Sequence, residues 1–215
     1  MTQPISYIEE LKRKAVHLSS FWMVAAILIL PKIIPGGRHI ASVIFASLLV
    51  LTLFAEHSYA NGGRYLGRLY GVLFGKMLRN EVKPDQWIVS GGAPVLAAAL
   101  LVNLIFPSPI AAGSLGVMLS GDAAAALVGR IFGRHKLVNG KSLEGCLAFV
   151  AAAATVLFGI LYISRANVPD GCFYLALPAV LLGATAELFT KQLKIDDNFT
   201  IPLSTGAVLV IAFIF

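Results

Sequence analysis

From residue 145 to residue 164 the chain runs for twenty residues without one charged side chain. As a helix rising 1.5 Å per residue, such a stretch is about 30 Å long, the thickness of a bilayer's hydrocarbon core. Lipid offers no partner to exposed backbone groups, so a crossing segment must bond internally as a helix or within a closed barrel. Barrel strands would read as segments of about ten residues alternating in polarity; here the apolar run is continuous. Similar runs cover residues 15–34, 40–55, 88–106, 110–128, 143–163, 173–189 and 199–215. Hydrophobic residues make up 58% of the chain and charged ones 13%, against about a quarter charged in a soluble domain. The expectation is an all-α polytopic membrane bundle of about seven transmembrane helices, a single domain over residues 1–215.

The cations orient it. With the N-terminus inside, fourteen of the seventeen Lys and Arg residues fall in inner segments, and only Lys32, Arg38 and Arg165 lie outside. The net charge of +6 is thereby explained without nucleic acid as a partner. Lys12-Arg13-Lys14 ahead of an apolar run has the look of a signal peptide. The run, however, continues to Leu30, meets Pro31-Lys32 and lacks a small-residue cleavage site, so it reads as a retained first span. Before it, Ile5, Ile8 and Leu11 recur every three residues, which predicts a short helix lying in the interface over residues 1–14. Residues 56–87 differ from the spans. Arg64, Arg68, Lys76, Arg79 and Lys83 alternate there with Tyr65, Leu66, Leu69, Tyr70, Leu73 and Phe74 at helical spacing, which predicts an amphipathic segment on the cytoplasmic face. Arg79 and Glu81 after it read as an ordinary surface pair. Cys146 and Cys172 fall at opposite ends of one predicted span, so no disulfide is expected.

Residues 120–145, SGDAAAALVGRIFGRHKLVNGKSLEG, hold the densest chemistry. Asp122 lies about two turns inside the fourth predicted span. An acid there is costly and marks either a function or a hydrogen bond to another helix; the cation-rich loop that follows favours a metal or substrate role. Gly121, Gly129 and Gly133 are separated by multiples of four and share one helix face, suited to tight helix packing or to close approach of a ligand. The loop at 129–142 interleaves three glycines with Arg130, Arg134, Lys136 and Lys141. It satisfies the positive-inside rule as a plain inner loop, and it also offers amides and cations to a polyphosphate. Lys141-Ser142 opens the fifth span and adds a helix N-terminus, with Glu144 following. Gly140-Lys141-Ser142 matches the end of a GxxxxGK[ST] loop, but His135 stands where the first glycine is needed and no strand precedes it.

Two further clusters fall on the same predicted face. Glu187 closes the sixth span, and IDDNFTIP at residues 195–202 opens the seventh. Asp197 or Asn198 suits an N-cap, and their oxygens also suit Mg²⁺, which takes one or two carboxylates together with substrate phosphates. At the entry to the first span, Arg13 and Lys14 suit interfacial anchoring; His17, one turn beyond Arg13, is either a hydrogen-bonded structural residue or a catalytic one. Glu56, Asp122, Glu144, Glu187, Asp196 and Asp197 all gather near the cytoplasmic surface, and Asp170 alone is placed outside.

Read together and in order, RKAVH, GDAAAALVGRIFGRHKLVNGKSLEG and DDNFTIPLSTG resemble the CTP-dependent lipid-alcohol kinases, the family of dolichol kinase, phytol kinase and the yeast-type diacylglycerol kinase. The compact size is similar to its phytol and small prokaryotic polyprenol kinase branch, which implies the cytoplasmic membrane of a prokaryote. After Glu56 the chain departs from the pattern: His57-Ser58-Tyr59 follows where an arginine is expected, and Arg64 comes later. The resemblance implies transfer of the γ-phosphoryl group of CTP to a lipid hydroxyl. It places Asp122, Arg130, Lys141, Ser142, Glu144 and Gly145 in the central motif, Arg13, Lys14 and His17 in the first, and Asp197, Asn198 and Pro202 in the last.

The expected mechanism has Mg²⁺ held by Asp122 with Asp197 and Asn198, phosphates neutralised by Arg13, Lys14, Arg130, Arg134, Lys136 and Lys141, and the alcohol's proton accepted by His17 or Glu187. Two rivals stand beside it. A cytidylyltransferase making a CDP-lipid needs the same nucleotide and metal at the same face. A small transporter needs midplane polar residues and inverted repeats, and neither is evident.

Overall fold

The structure, a computed structural model, describes residues 7–78 and 82–214. Ile5 of the expected interfacial pattern, and the Arg79 and Glu81 pair, lie outside the described residues. Among those residues every regular element is helical, and the one β feature is an isolated antiparallel bridge between Lys136 and Ser142. In chain order the helices are α1 (Tyr7–Ser19), α2 (Phe21–Ile33), α3 (Gly37–Ala60), α4 (Leu66–Phe74), α5 (Gly92–Ile105), α6 (Ser108–Phe132), α7 (Leu143–Ile163), α8 (Gly171–Leu188), α9 (Thr190–Leu193) and α10 (Asp197–Val210).

Five stretches are long and apolar enough to cross a membrane: Ile8–Ile33, which joins α1 to α2, and α3, α6, α7 and α8. Two of the seven expected spans form shorter apolar helices instead, α5 and the segment Asp197–Phe213. Residues 88–91 stay outside α5 because Val89 and Ser90 bond to Glu56 rather than to a helical turn. Pro107 then closes the other side, serving as N-cap of α6 with Pro109 in its first turn. At the N-terminus the expected division into an interfacial segment and a span from residue 15 is replaced by one helix to Ser19. That helix packs on α6, and the chain turns once at Ser20 before α2.

The core is built round α6. All twelve residues from Ile110 to Gly121 are buried, as expected for a helix covered on every side; α2, α5, α7, α8, α10 and α1 pack against it. Glycines on it and at its C-cap permit close approaches. A Cβ at Gly121 would come within 2.5 Å of the Phe149 ring, and one at Gly133 within 2.6 Å of Ser142 Oγ. The glycine face therefore seats α7. On the other side of the bundle α3 packs on α5, where Arg38 closes the C-terminal end of α5. Its guanidinium donates to the carbonyls of Asn103, Leu104 and Phe106 at 2.8–3.0 Å, which the helix itself leaves without donors.

Candidate functional site

The ends of α7, α8 and α10 meet the middle of α6 and the second half of α1 around one cavity of about 960 Å³. Local signals put each end there. Ser142 is the N-cap of α7, its hydroxyl accepting from Gly145 N at 3.2 Å, so Lys141 stands just before the helix. Asp196, rather than Asp197 or Asn198, is the N-cap of α10; its carboxylate accepts from the Asn198 backbone at 2.9 Å and from the Asn198 amide at 2.6 Å. Asp197 and Asn198 are thereby left in the first helical turn, facing the cavity. Pro202, one turn on, has no N–H to give the Asn198 carbonyl. Lys194, in the left-handed conformation at φ 55°, ends α9 and returns the chain toward α10.

Each of three cations at this polar end holds a carboxylate. Lys14 Nζ lies 2.5 Å from Asp122 Oδ2, Arg13 lies 2.6 Å from Glu10 one turn earlier on α1, and Lys141 pairs with Glu187 at the end of α8. Lys14 is only 2% exposed and Glu187 5%. At such depth attraction is strong, but so is the cost of taking both charges out of water. His17 Nε2 is 3.3 Å from the oxygen that Lys14 holds, yet it is buried and makes no hydrogen bond. Asp197 meets the repulsion of both Asp122 and Asp196. Asp122 and Asp197 line the same cavity, and one or two carboxylates are what Mg²⁺ takes beside phosphates. No three His, Cys, Asp or Glu residues form a metal cage among the described residues, and Mg²⁺ needs none when phosphates supply the remaining ligands.

Other elements give the same cavity much of its apolar lining. Leu51 and Ala55 of α3, Leu66, Leu69 and Leu73 of α4, Ile88, and Val95 of α5 line it. The amphipathic segment expected over residues 56–87 thus includes a true helix, α4, whose leucines face this space. Burial pushes the Tyr70 phenol above its ordinary pKa, so it keeps its proton and donates a hydrogen bond to Glu56 Oε1 at 3.0 Å.

Of the residues singled out from sequence, Arg13, Lys14, His17, Asp122, Lys141, Ser142, Gly145, Glu187, Asp197 and Asn198 line this one cavity. Arg130, Arg134 and Lys136 are exposed and stand outside its lining. Glu144 turns to its own loop, accepting from the backbones of Arg134 and His135 at 3.2 and 3.3 Å and lying 2.7 Å from the His135 ring. Asn139, at φ 61°, ties that loop to Leu188 and Gln192. Sequence reasoning missed Glu10, which the helical spacing to Arg13 signals, and Ser90, which no local pattern signals.

No protein-family model matches the chain, and no solved structure matches it. An uncharacterised protein of Rickettsia prowazekii is 28% identical over 199 residues, 91% of this chain and 90% of that one. A protein of Oryza sativa named probable phytol kinase 1, chloroplastic, is 30% identical over 139 residues, 60% of this chain and 44% of that one. Its Zea mays counterpart, a probable phytol kinase, is 30% identical over 147 residues, 64% and 48% respectively. The chain therefore spans less than half the length of these plant proteins. It is a helical membrane protein similar to phytol kinases over more than half of its own length.

Proposed function

We propose that the protein is a lipid-alcohol kinase, transferring the γ-phosphoryl group of a nucleoside triphosphate to the hydroxyl of an isoprenoid alcohol at the cytoplasmic face of its membrane. CTP is the donor that the resemblance to the lipid-alcohol kinases implies. The observation that carries the reading is a single cavity lined both by paired lysines and acids and by leucines of α3 and α4. A polyphosphate and an apolar chain need opposite surroundings, and a volume of about 960 Å³ is at the upper end of what single-ligand pockets offer. The similarity to phytol kinases supports the same chemistry.

Phosphoryl transfer asks mainly for positioning and charge stabilisation. Lys14 and Lys141 exchange their carboxylates for phosphate oxygens as the nucleotide enters, and Arg13 stands beside them. Asp122, Asp197 and Asn198 are the residues that would hold Mg²⁺, which supplies charge neutralisation on the phosphates when bound. The alcohol lies with its chain along α4 and its hydroxyl toward α1. His17 accepts the hydroxyl proton as the new O–P bond forms and the bond to the leaving nucleoside diphosphate breaks. His17 is preferred to Glu187 because its Nε2 has no hydrogen-bond partner, whereas Glu187 is engaged by Lys141.

The test is purified protein in detergent with Mg²⁺, a panel of phytol, geranylgeraniol, farnesol, a polyprenol and diacylglycerol, and each γ-labelled nucleotide in turn. A labelled isoprenoid phosphate formed from CTP is the expected product. Absence of labelled lipid for every pair overturns the proposal.

A further inference from the structure

Glu56 has no part in the chemistry above, yet it is fully buried, with 0% of its surface exposed. No cation pairs with it among the described residues. Three donors converge on it instead: Tyr70 Oη from α4 at 3.0 Å, Ser90 Oγ at 2.5 Å, and Val89 N at 3.0 Å, the last two from the stretch before α5. Ser90 Oγ also accepts from Gly92 N at 3.0 Å, so its hydroxyl is committed on both sides. One carboxylate at the end of α3 thus ties α4 to the entry of α5. Tyr70, Val89 and Ser90 line the cavity, while Glu56 sits behind them.

A carboxylate buried without a cation is an expensive link. Apolar side chains would hold these elements together at less cost, but without fixing their angles. Directional bonds matter here because, among the described residues, α4 packs mainly on α3 alone. It rests on α3 through glycines: a Cβ on Gly67 would come 2.7 Å from the Ser58 carbonyl oxygen, and one on Gly71 2.6 Å from the Tyr59 ring. That face permits close contact, with the Tyr59 side chain lying along Gly71 and Gly75. The opposite face bears Leu69 and Leu73, both more than half exposed and both lining the cavity.

We propose that Glu56 is a positioning residue for the lipid acceptor: by holding Tyr70 and Ser90 it fixes the α4 wall along which the chain lies, and so sets which chains the site accepts. This rests on the kinase reading only for the identity of the acceptor as a single-chain isoprenoid alcohol. Removing the carboxylate frees three donors, lets α4 shift on its glycine seat, and blurs the apolar lining without touching the lysines.

The experiment measures two affinities separately, tritiated geranylgeraniol and CTP with Mg²⁺, on purified wild type, Glu56→Gln, Ser90→Ala and Tyr70→Phe in detergent. Glu56→Gln is expected to weaken geranylgeraniol binding by about tenfold, the equivalent of one lost hydrogen bond, and to flatten the preference among geraniol, farnesol and geranylgeraniol. CTP affinity is expected to stay within about twofold, a ratio that a general loss of structure would not preserve. Should Glu56→Gln fail to fold, Tyr70→Phe and Ser90→Ala, which each remove one donor, carry the test with smaller shifts in the same direction. Equal weakening of both ligands, an unchanged chain-length preference, or a wild type that binds no alcohol overturns the assignment. A wild type that binds alcohol with the expected Glu56 dependence but transfers no phosphoryl group upholds it and overturns the kinase reading alone.

Discussion

Lys14 on α1 meets Asp122 on α6 across 108 residues of chain, its ammonium 2.5 Å from the carboxylate oxygen. The contact joins the first helix to the most buried one and sets the depth of the polar end. Because Lys14 is 2% exposed, salt screens the pair far less than it screens a surface bridge.

Asp122→Asn leaves that ammonium facing a neutral amide. Breaking a buried pair from one side costs about 3–5 kcal/mol, and the 20% exposure of Asp122 places this variant at the low end of that range. Thermal unfolding in detergent should show the loss, with turnover down about a thousandfold, as for removal of a charge-stabilising group. The double variant Lys14→Met, Asp122→Leu should recover most of the melting temperature and none of the activity.

Lys141 and Glu187 should separate by their kinetics. Lys141→Met removes a cation from the nucleotide end and should raise KM for the nucleotide about tenfold or more, in line with a lost charge-assisted bond. Glu187→Gln releases Lys141 rather than removing it, so KM for the nucleotide should hold or fall. A steady-state titration of nucleotide at saturating alcohol checks both.

His17→Asn should lower kcat by about a hundredfold to ten-thousandfold, the usual contribution of a general base, with KM for both substrates nearly unchanged. A matching rise in KM for the alcohol would instead make His17 a binding residue. Initial rates over a grid of both substrates distinguish the two.

Gly145→Ala tests the seat of α7 on α6. The added Cβ would lie 2.9 Å from the Ala125 carbonyl oxygen and 3.2 Å from the Gly129 Cα, and overpacking of this kind costs about 1–3 kcal/mol. Gly159, whose added Cβ meets nothing within 4 Å, is the control. Gly159→Ala should be neutral or stabilising by up to about 1 kcal/mol through helix propensity. Paired thermal melts of the two variants give the comparison.

What could be read from sequence follows from how local each signal is. The bounds of α7 were legible to the residue, because an N-cap, an apolar run and a polar turn all lie within one segment. The shortening of α5 was not, since it depends on Glu56, more than thirty residues upstream, drawing Val89 and Ser90 out of the helix. Asp122 was visible as a charge misplaced in an apolar helix, Glu187 as the acid that closes one, and Lys14 only as an interfacial anchor. Their pairing is a tertiary fact that spacing along the chain cannot reveal. The loop at 129–142 shows the limit most clearly: its cations share one pattern, but the β-bridge and Asn139 turn Lys141 toward the cavity and leave Arg134 and Lys136 outside its lining.

The central claim is that the terminal phosphoryl group, and not the nucleotide, reaches the lipid. Parallel reactions with CTP labelled at the α- or the γ-phosphate, followed by extraction of the lipid product, test it directly. Label in the lipid from γ-labelled CTP alone is the predicted result. Label from α-labelled CTP would contradict it, since that is the outcome of cytidylyl transfer to a phospholipid.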